Sequence, residues 1–138
     1  FQGSCWMMRK DYYLSTCKLE INPQTRDEFV LEPEELAFKS WLSGGAVMVN
    51  KKTWYAHYHK HTGMRGYRID KRTMKQQRIY HIDYWMHDRW PKATIKVADF
   101  VKRFMPIPGY PLDWQNPKYE EEYLRRVEAN KDPHKIMV

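Results

Sequence analysis

The first apolar run, Ser4 to Met8 (SCWMM), has the length and character of a fully buried strand. Arg9 to Leu14 follows as a short helical turn carrying Tyr12 and Tyr13, and residues 15–31 read as loop around the Asn22-Pro23 turn signal. The clearest helical pattern starts at Glu32. Pro33 suits a first helical position, where its missing N–H costs nothing. Glu32, Glu34 and Glu35 crowd the first turn, where the helix dipole favours carboxylates. Leu36, Ser40 and Trp41 share a face, with Phe38 and Leu42 beside it, and Gly44-Gly45 supplies a left-handed stop. Ala46 to Val49 and Thr53 to Tyr58 then read as two strands joined around Asn50-Lys51-Lys52.

Past this point the pattern turns polar. His59 to Arg72 is a basic loop punctuated by Gly63 and Gly66. Met74 to Arg89 predicts a helix with Ile79, Ile82 and Met86 as its apolar positions, and Val97 to Phe104 a shorter one. Three prolines keep 106–114 extended or turned. Lys118 to Asn130 predicts a charged surface helix whose apolar positions are Tyr119, Tyr123, Leu124 and Val127.

Composition adjusts this picture in three ways. The chain has 138 residues, enough to bury a core without a disulfide or metal staple. Six Trp and ten Tyr give it large, half-polar surfaces suited to clefts as well as cores. Its net charge of +7 favours phosphate-bearing partners without choosing among them. Cys5 and Cys17 form no Cys-x-x-Cys pair, which argues against thiolate zinc and for reduced thiols in a cytoplasmic setting. No run reaches the roughly 18–20 apolar residues of a membrane span.

Two clusters carry candidate chemistry. His57, His59 and His61 alternate, so on a strand they share one face, and imidazole ligates transition metals. The Lys-rich flanks argue against a closed three-His zinc site and for one His acting with acids from elsewhere. The Glu32/Glu34/Glu35 cluster is either helix-dipole decoration or the source of one carboxylate aimed into a cleft.

GSCWMMRKDYY, Glu32 with Glu35, Trp41, Gly44-Gly45 and His57 twelve positions after Gly45 together form a spaced pattern. It resembles the C-terminal half of the catalytic domain of GT-A fold glycosyltransferases of the family 2 type, and of polypeptide N-acetylgalactosaminyltransferases. The resemblance spans about the first 60 residues. It implies an α/β fold, a partial GT-A domain over residues 1–62, with a basic loop and helical C-terminal extension over 63–138. It implies a nucleotide-diphosphate-sugar donor, a hydroxyl acceptor of unknown identity, and Mn²⁺ or Mg²⁺ held in part by His57. Glu32 matches the acid near donor sugar and acceptor, and Glu35 supports the helix start. Beside that match, His59, Arg65, Tyr67 and Arg68 on the basic loop are candidates for folding over the diphosphate. The family's Asp-x-Asp pair and nucleotide-binding strands are not in this chain, so the expected partner is a missing N-terminal half of the same domain, without which this piece would not turn over. Val30-Leu31 and Pro33 also depart from the family pattern. The competing reading is a small basic module that binds nucleic acid or another polyanion without catalysis.

Overall fold

A computed structural model of the chain describes residues 4–21, 31–58, 64 and 71–131. Five α-helices run along them: α1 (Lys10–Tyr12), α2 (Glu32–Leu42), α3 (Lys71–Met86), α4 (Val97–Lys102) and α5 (Pro117–Lys131). A π-helical turn, Tyr13–Cys17, continues directly from α1. The chain forms two compact units, Phe1–Val97 and Ala98–Val138.

The expected α/β architecture, a partial GT-A fold, is overturned, because the described residues contain helices and no strand. Ser4 to Met7, read as a buried strand, are exposed, and Met8 is half-buried. The Asn50 turn does form, with its Oδ1 accepting the Lys52 N–H at 2.9 Å. The two flanking segments, 46–49 and 53–58, nevertheless belong to no ladder, and Met48 and Trp54 are 84% and 86% exposed. Alternation and β-branching describe a surface that fits a sheet, but a strand exists only where a neighbour takes up its backbone N–H and C=O groups. Local pattern does not supply that neighbour.

In the first unit α2 is the organising element. Its stop is a Schellman arrangement in which Gly44 N–H donates to Trp41 O (3.1 Å) and Gly45 N–H to Ser40 O (2.9 Å). Gly44 takes φ +85° there. Gly45 is required for another reason. A Cβ on it would lie 2.8 Å from the Ser40 carbonyl and 2.9 Å from the Tyr12 hydroxyl. That hydroxyl hydrogen-bonds Ser43 Oγ at 2.7 Å, tying the α1 turn to the end of α2. Gly45→Ala is therefore expected to cost about 1–3 kcal/mol by overpacking, read as a lower urea midpoint. Tyr12→Phe in the same background should recover little, since the backbone carbonyl is the closer obstacle; full recovery would disprove the clash.

The loop after α3 satisfies the other orphan group at this end. Thr94 donates both its N–H (2.7 Å) and its hydroxyl (3.0 Å) to Leu42 O. Helix α3 packs through Trp85, whose ring stacks on Phe38 of α2 at 4.9 Å and meets Trp90 edge-on at 6.3 Å. Its buried positions are Gln77, His81 and Trp85, spaced by four, whereas Ile82 and Met86 stay half exposed. The helical period read from sequence was right and the face was wrong. Indole stacking buries more area than a thin aliphatic stripe, so it decides which way the helix turns. Cys17, Ile21, Leu36, Leu42 and Val97 complete this unit's apolar core.

In the second unit Asn116 caps α5, its Oδ1 accepting the Lys118 N–H at 3.1 Å ahead of Pro117 at the first helical position. Asp113 gathers the same turn by accepting from Lys118 Nζ (2.8 Å) and Tyr119 OH (3.0 Å). Those bonds, Lys118's first, hold its carboxyl below the ordinary aspartate value. Phe100 and Phe104 pack edge-to-face within the unit at 5.1 Å.

Candidate functional site

Helix α2 presents three carboxylates with three different environments. Glu32 opens the helix, directly after Leu31, which is held in the left-handed region at φ 47°, ψ 20°. That conformation costs a leucine roughly 1–3 kcal/mol and persists only where the surroundings enforce it. Glu32 is half-buried, while Glu34 is exposed. The dipole of α2 would pull a first-turn carboxyl down. Burial wins, however, and with the adjacent Glu34 charge it pushes the Glu32 carboxyl above its ordinary value.

Glu35 is a strut. Its Oε1 accepts the backbone N–H groups of Glu20 (2.8 Å) and Ile21 (3.3 Å) and pairs with Lys39 Nζ at 2.6 Å, one turn along. Lys39 is 1% exposed, and its ammonium also donates to Lys18 O at 2.5 Å. The pair thereby clamps 18–21 onto α2. The Glu-to-Lys spacing of four was the available sequence signal for this contact. Only burial makes it important.

His81 of α3 is buried with Nδ1 unpartnered, among the charges of Glu35, Glu34 and Lys39. Burial lowers its pKa more than the nearby glutamates raise it, and Lys39 lowers it further. A folded-state pKa below the unfolded value of about 6.5 means that the unfolded chain takes up the proton first. The resulting stability is complete above that value and is lost as pH falls from it toward the folded pKa. Urea midpoints should therefore drop between neutral pH and pH ~5.5, with a slope of at most ~1.4 kcal/mol per pH unit from this group. His81→Asn should flatten that part of the profile. An unchanged slope in the variant would assign the pH effect elsewhere.

Of the remaining expected site residues, only His57 falls within the described residues. His57 lies exposed at the end of 53–58. His59, Arg65, Tyr67 and Arg68 lie outside the described residues. Among the described residues no group of three or more His, Cys, Asp or Glu side chains stands close enough to hold a metal ion. No helix among them is long and apolar enough to cross a membrane. Comparison with protein-family models, with curated proteins and with solved structures found no match.

Proposed function

We propose that the chain contributes the acid-bearing part of a glycosyltransferase, which moves a sugar from a nucleotide-diphosphate donor to an acceptor hydroxyl. The observation that carries this reading is Glu32, a half-buried carboxylate of raised pKa behind a strained Leu31. Backbone strain and perturbed acidity tend to cluster at functional sites, and a buried ion-pair strut next to Glu32 braces the helix start. Glu32 takes the proton of the acceptor hydroxyl as that oxygen bonds the anomeric carbon. The bond from that carbon to the diphosphate breaks, and the nucleoside diphosphate leaves with the electron pair. A carboxylate raised toward neutrality is the better proton acceptor for this task.

The exposed apolar side chains of Trp6, Met7, Met48, Val49 and Trp54 support a partner for this unit. Ser4 Oγ and Tyr55 OH, 2.6 Å apart, bring the two segments that bear them together. Large exposed apolar side chains on neighbouring segments suit a contact surface, and the partner in this reading is a nucleotide-binding half of the same domain. The setting is cytoplasmic. The test is nucleoside diphosphate release by the whole natural protein containing residues 1–138, incubated with UDP-, GDP- and dTDP-activated sugars. Release that depends on a saccharide acceptor is expected. No release from any donor, together with nucleic-acid binding that collapses steeply as salt rises, would replace the enzyme with a polyanion-binding module.

A further inference from the structure

A cleft of about 240 Å³ opens in the first unit beside the strut, lined by Glu20, Lys39, Tyr80, Tyr84, Trp90 and Lys92 among others. Nothing in the Glu32 chemistry uses it. Tyr80 and Tyr84 stand one turn apart on α3, with ring centroids 6.3 Å apart, and Trp90 supplies a third aromatic wall. Lys39 and Lys92 border it, but neither is a spare cation. Lys39 is neutralised by Glu35 and lies 6.0 Å from the Trp90 ring centre. Lys92 donates to Ser15 O and shares the rim with the Glu20 carboxylate.

The formal charges therefore balance: Glu35 pairs with Lys39, and Glu20 and Lys92 add one charge of each sign to the lining. A phosphate or diphosphate would find no net positive field here, whatever the chain's total charge. What remains is flat aromatic surface edged by two phenol hydroxyls, a carboxylate and an ammonium, that is, apolar faces with convergent donors and acceptors. An uncharged ring with one C–H face and a rim of hydroxyls satisfies all of these at once.

We propose that this cleft binds one neutral sugar unit, with a pyranose ring laid against Tyr80 and Tyr84. Lys39 lies seven residues after Glu32, nearly two full turns, on the same face of α2 and about 10 Å further along the axis. An acceptor with one sugar seated in the cleft would reach Glu32 around the enclosed Glu35 and Leu36 and not over them. That placement makes the cleft an acceptor subsite, a role that rests on the glycosyltransferase reading, whereas sugar binding itself does not.

The experiment is saturation-transfer NMR on the full 138-residue chain with methyl β-D-glucopyranoside, methyl β-D-galactopyranoside and N-acetylglucosamine, and with pyrophosphate as a competitor. At least one neutral glycoside is expected to receive saturation and to resist pyrophosphate. Tyr80→Ala, at a half-exposed position, should weaken it about tenfold with the circular dichroism unchanged. Lys102→Ala, in the second unit, should bind as the parent does. Absence of transfer from all three glycosides, equal binding by Tyr80→Ala and Lys92→Ala, or displacement by pyrophosphate would each overturn the proposal. The two readings fail separately. Sugar binding without nucleoside diphosphate release from the whole protein removes the catalytic reading and leaves the sugar site, and release that is indifferent to Tyr80→Ala removes the subsite alone.

Discussion

Lys39→Ala is expected to destabilise the first unit by about 3–5 kcal/mol, the usual consequence of stranding one member of a buried ion pair. The lysine is almost completely enclosed, and its ammonium answers both Glu35 Oε1 and the Lys18 carbonyl. Truncation leaves a carboxylate inside the protein with two backbone N–H groups as its remaining donors. Against a typical total stability of about 5–15 kcal/mol, such a loss removes roughly a fifth of the margin or more. Tryptophan fluorescence would follow it well in urea, since Trp85 and Trp90 sit in the same core. A paired replacement, Glu35→Leu with Lys39→Met, should restore most of the stability, because an apolar pair of similar volume leaves no charge stranded. A single variant that loses less than about 1 kcal/mol would mean that solvent reaches the pair and that the clamp on 18–21 is a surface contact.

Glu32→Gln is expected to lower turnover of the whole protein by about 10²–10⁴-fold, the range for losing a positioned acid or base. Glutamine keeps the size and hydrogen-bonding shape of the side chain and removes only its ability to take a proton. Stability should change little at neutral pH. The pH profile separates this role from simple positioning. A base must be ionised to act, so activity should rise with pH through the raised pKa of Glu32. Glu34 contributes to that elevation through its like charge. Glu34→Gln should therefore move the acidic limb to lower pH while leaving the plateau rate nearly unchanged. An unmoved limb in Glu34→Gln, or near-parental turnover in Glu32→Gln, would take the proton-transfer role away from Glu32.

The same carboxylate has a second consequence, for stability. With a raised folded-state pKa, Glu32 holds its proton in the folded chain over a range where the unfolded chain has released it. Its contribution is complete below the ordinary glutamate value and fades as pH rises through the folded one. His81 acts with the opposite sign in the range just below pH ~6.5. Stability profiles of His81→Asn and Glu32→Gln should for that reason depart from the parent in opposite directions.

Much of the local structure was legible in the sequence. Acidic residues with Pro33 at the start and Gly44-Gly45 at the end mark α2. Asn116-Pro117 marks the start of α5 and Asn50 the turn before 53–58. Each of these is an interaction between residues within a few positions of one another, so spacing alone specifies it. Glu32 was legible in this way only as a first-turn acid, and its candidacy as a site residue came from the family resemblance. Its half-burial and raised pKa were not legible, because they depend on what packs against the helix start.

Tertiary structure decided three things that spacing left open. The apolar runs at 4–8, 46–49 and 53–58 have strand-like composition, yet they form no strand among the described residues, since pairing depends on groups far away in the chain. Helix α3 turned inward on Gln77, His81 and Trp85 instead of its isoleucines, because the Phe38 and Trp90 rings stood ready to receive an indole. The Glu35–Lys39 spacing reads on the surface as an ordinary helical pair worth a few tenths of a kcal/mol. Enclosure by 18–21 and Trp90 turns it into the strut that holds the first unit together and forms the floor of the cleft. Turns and caps are local chemistry, which the order of residues determines by itself. Which charges lose their water, and which faces meet, follows only from the packed chain.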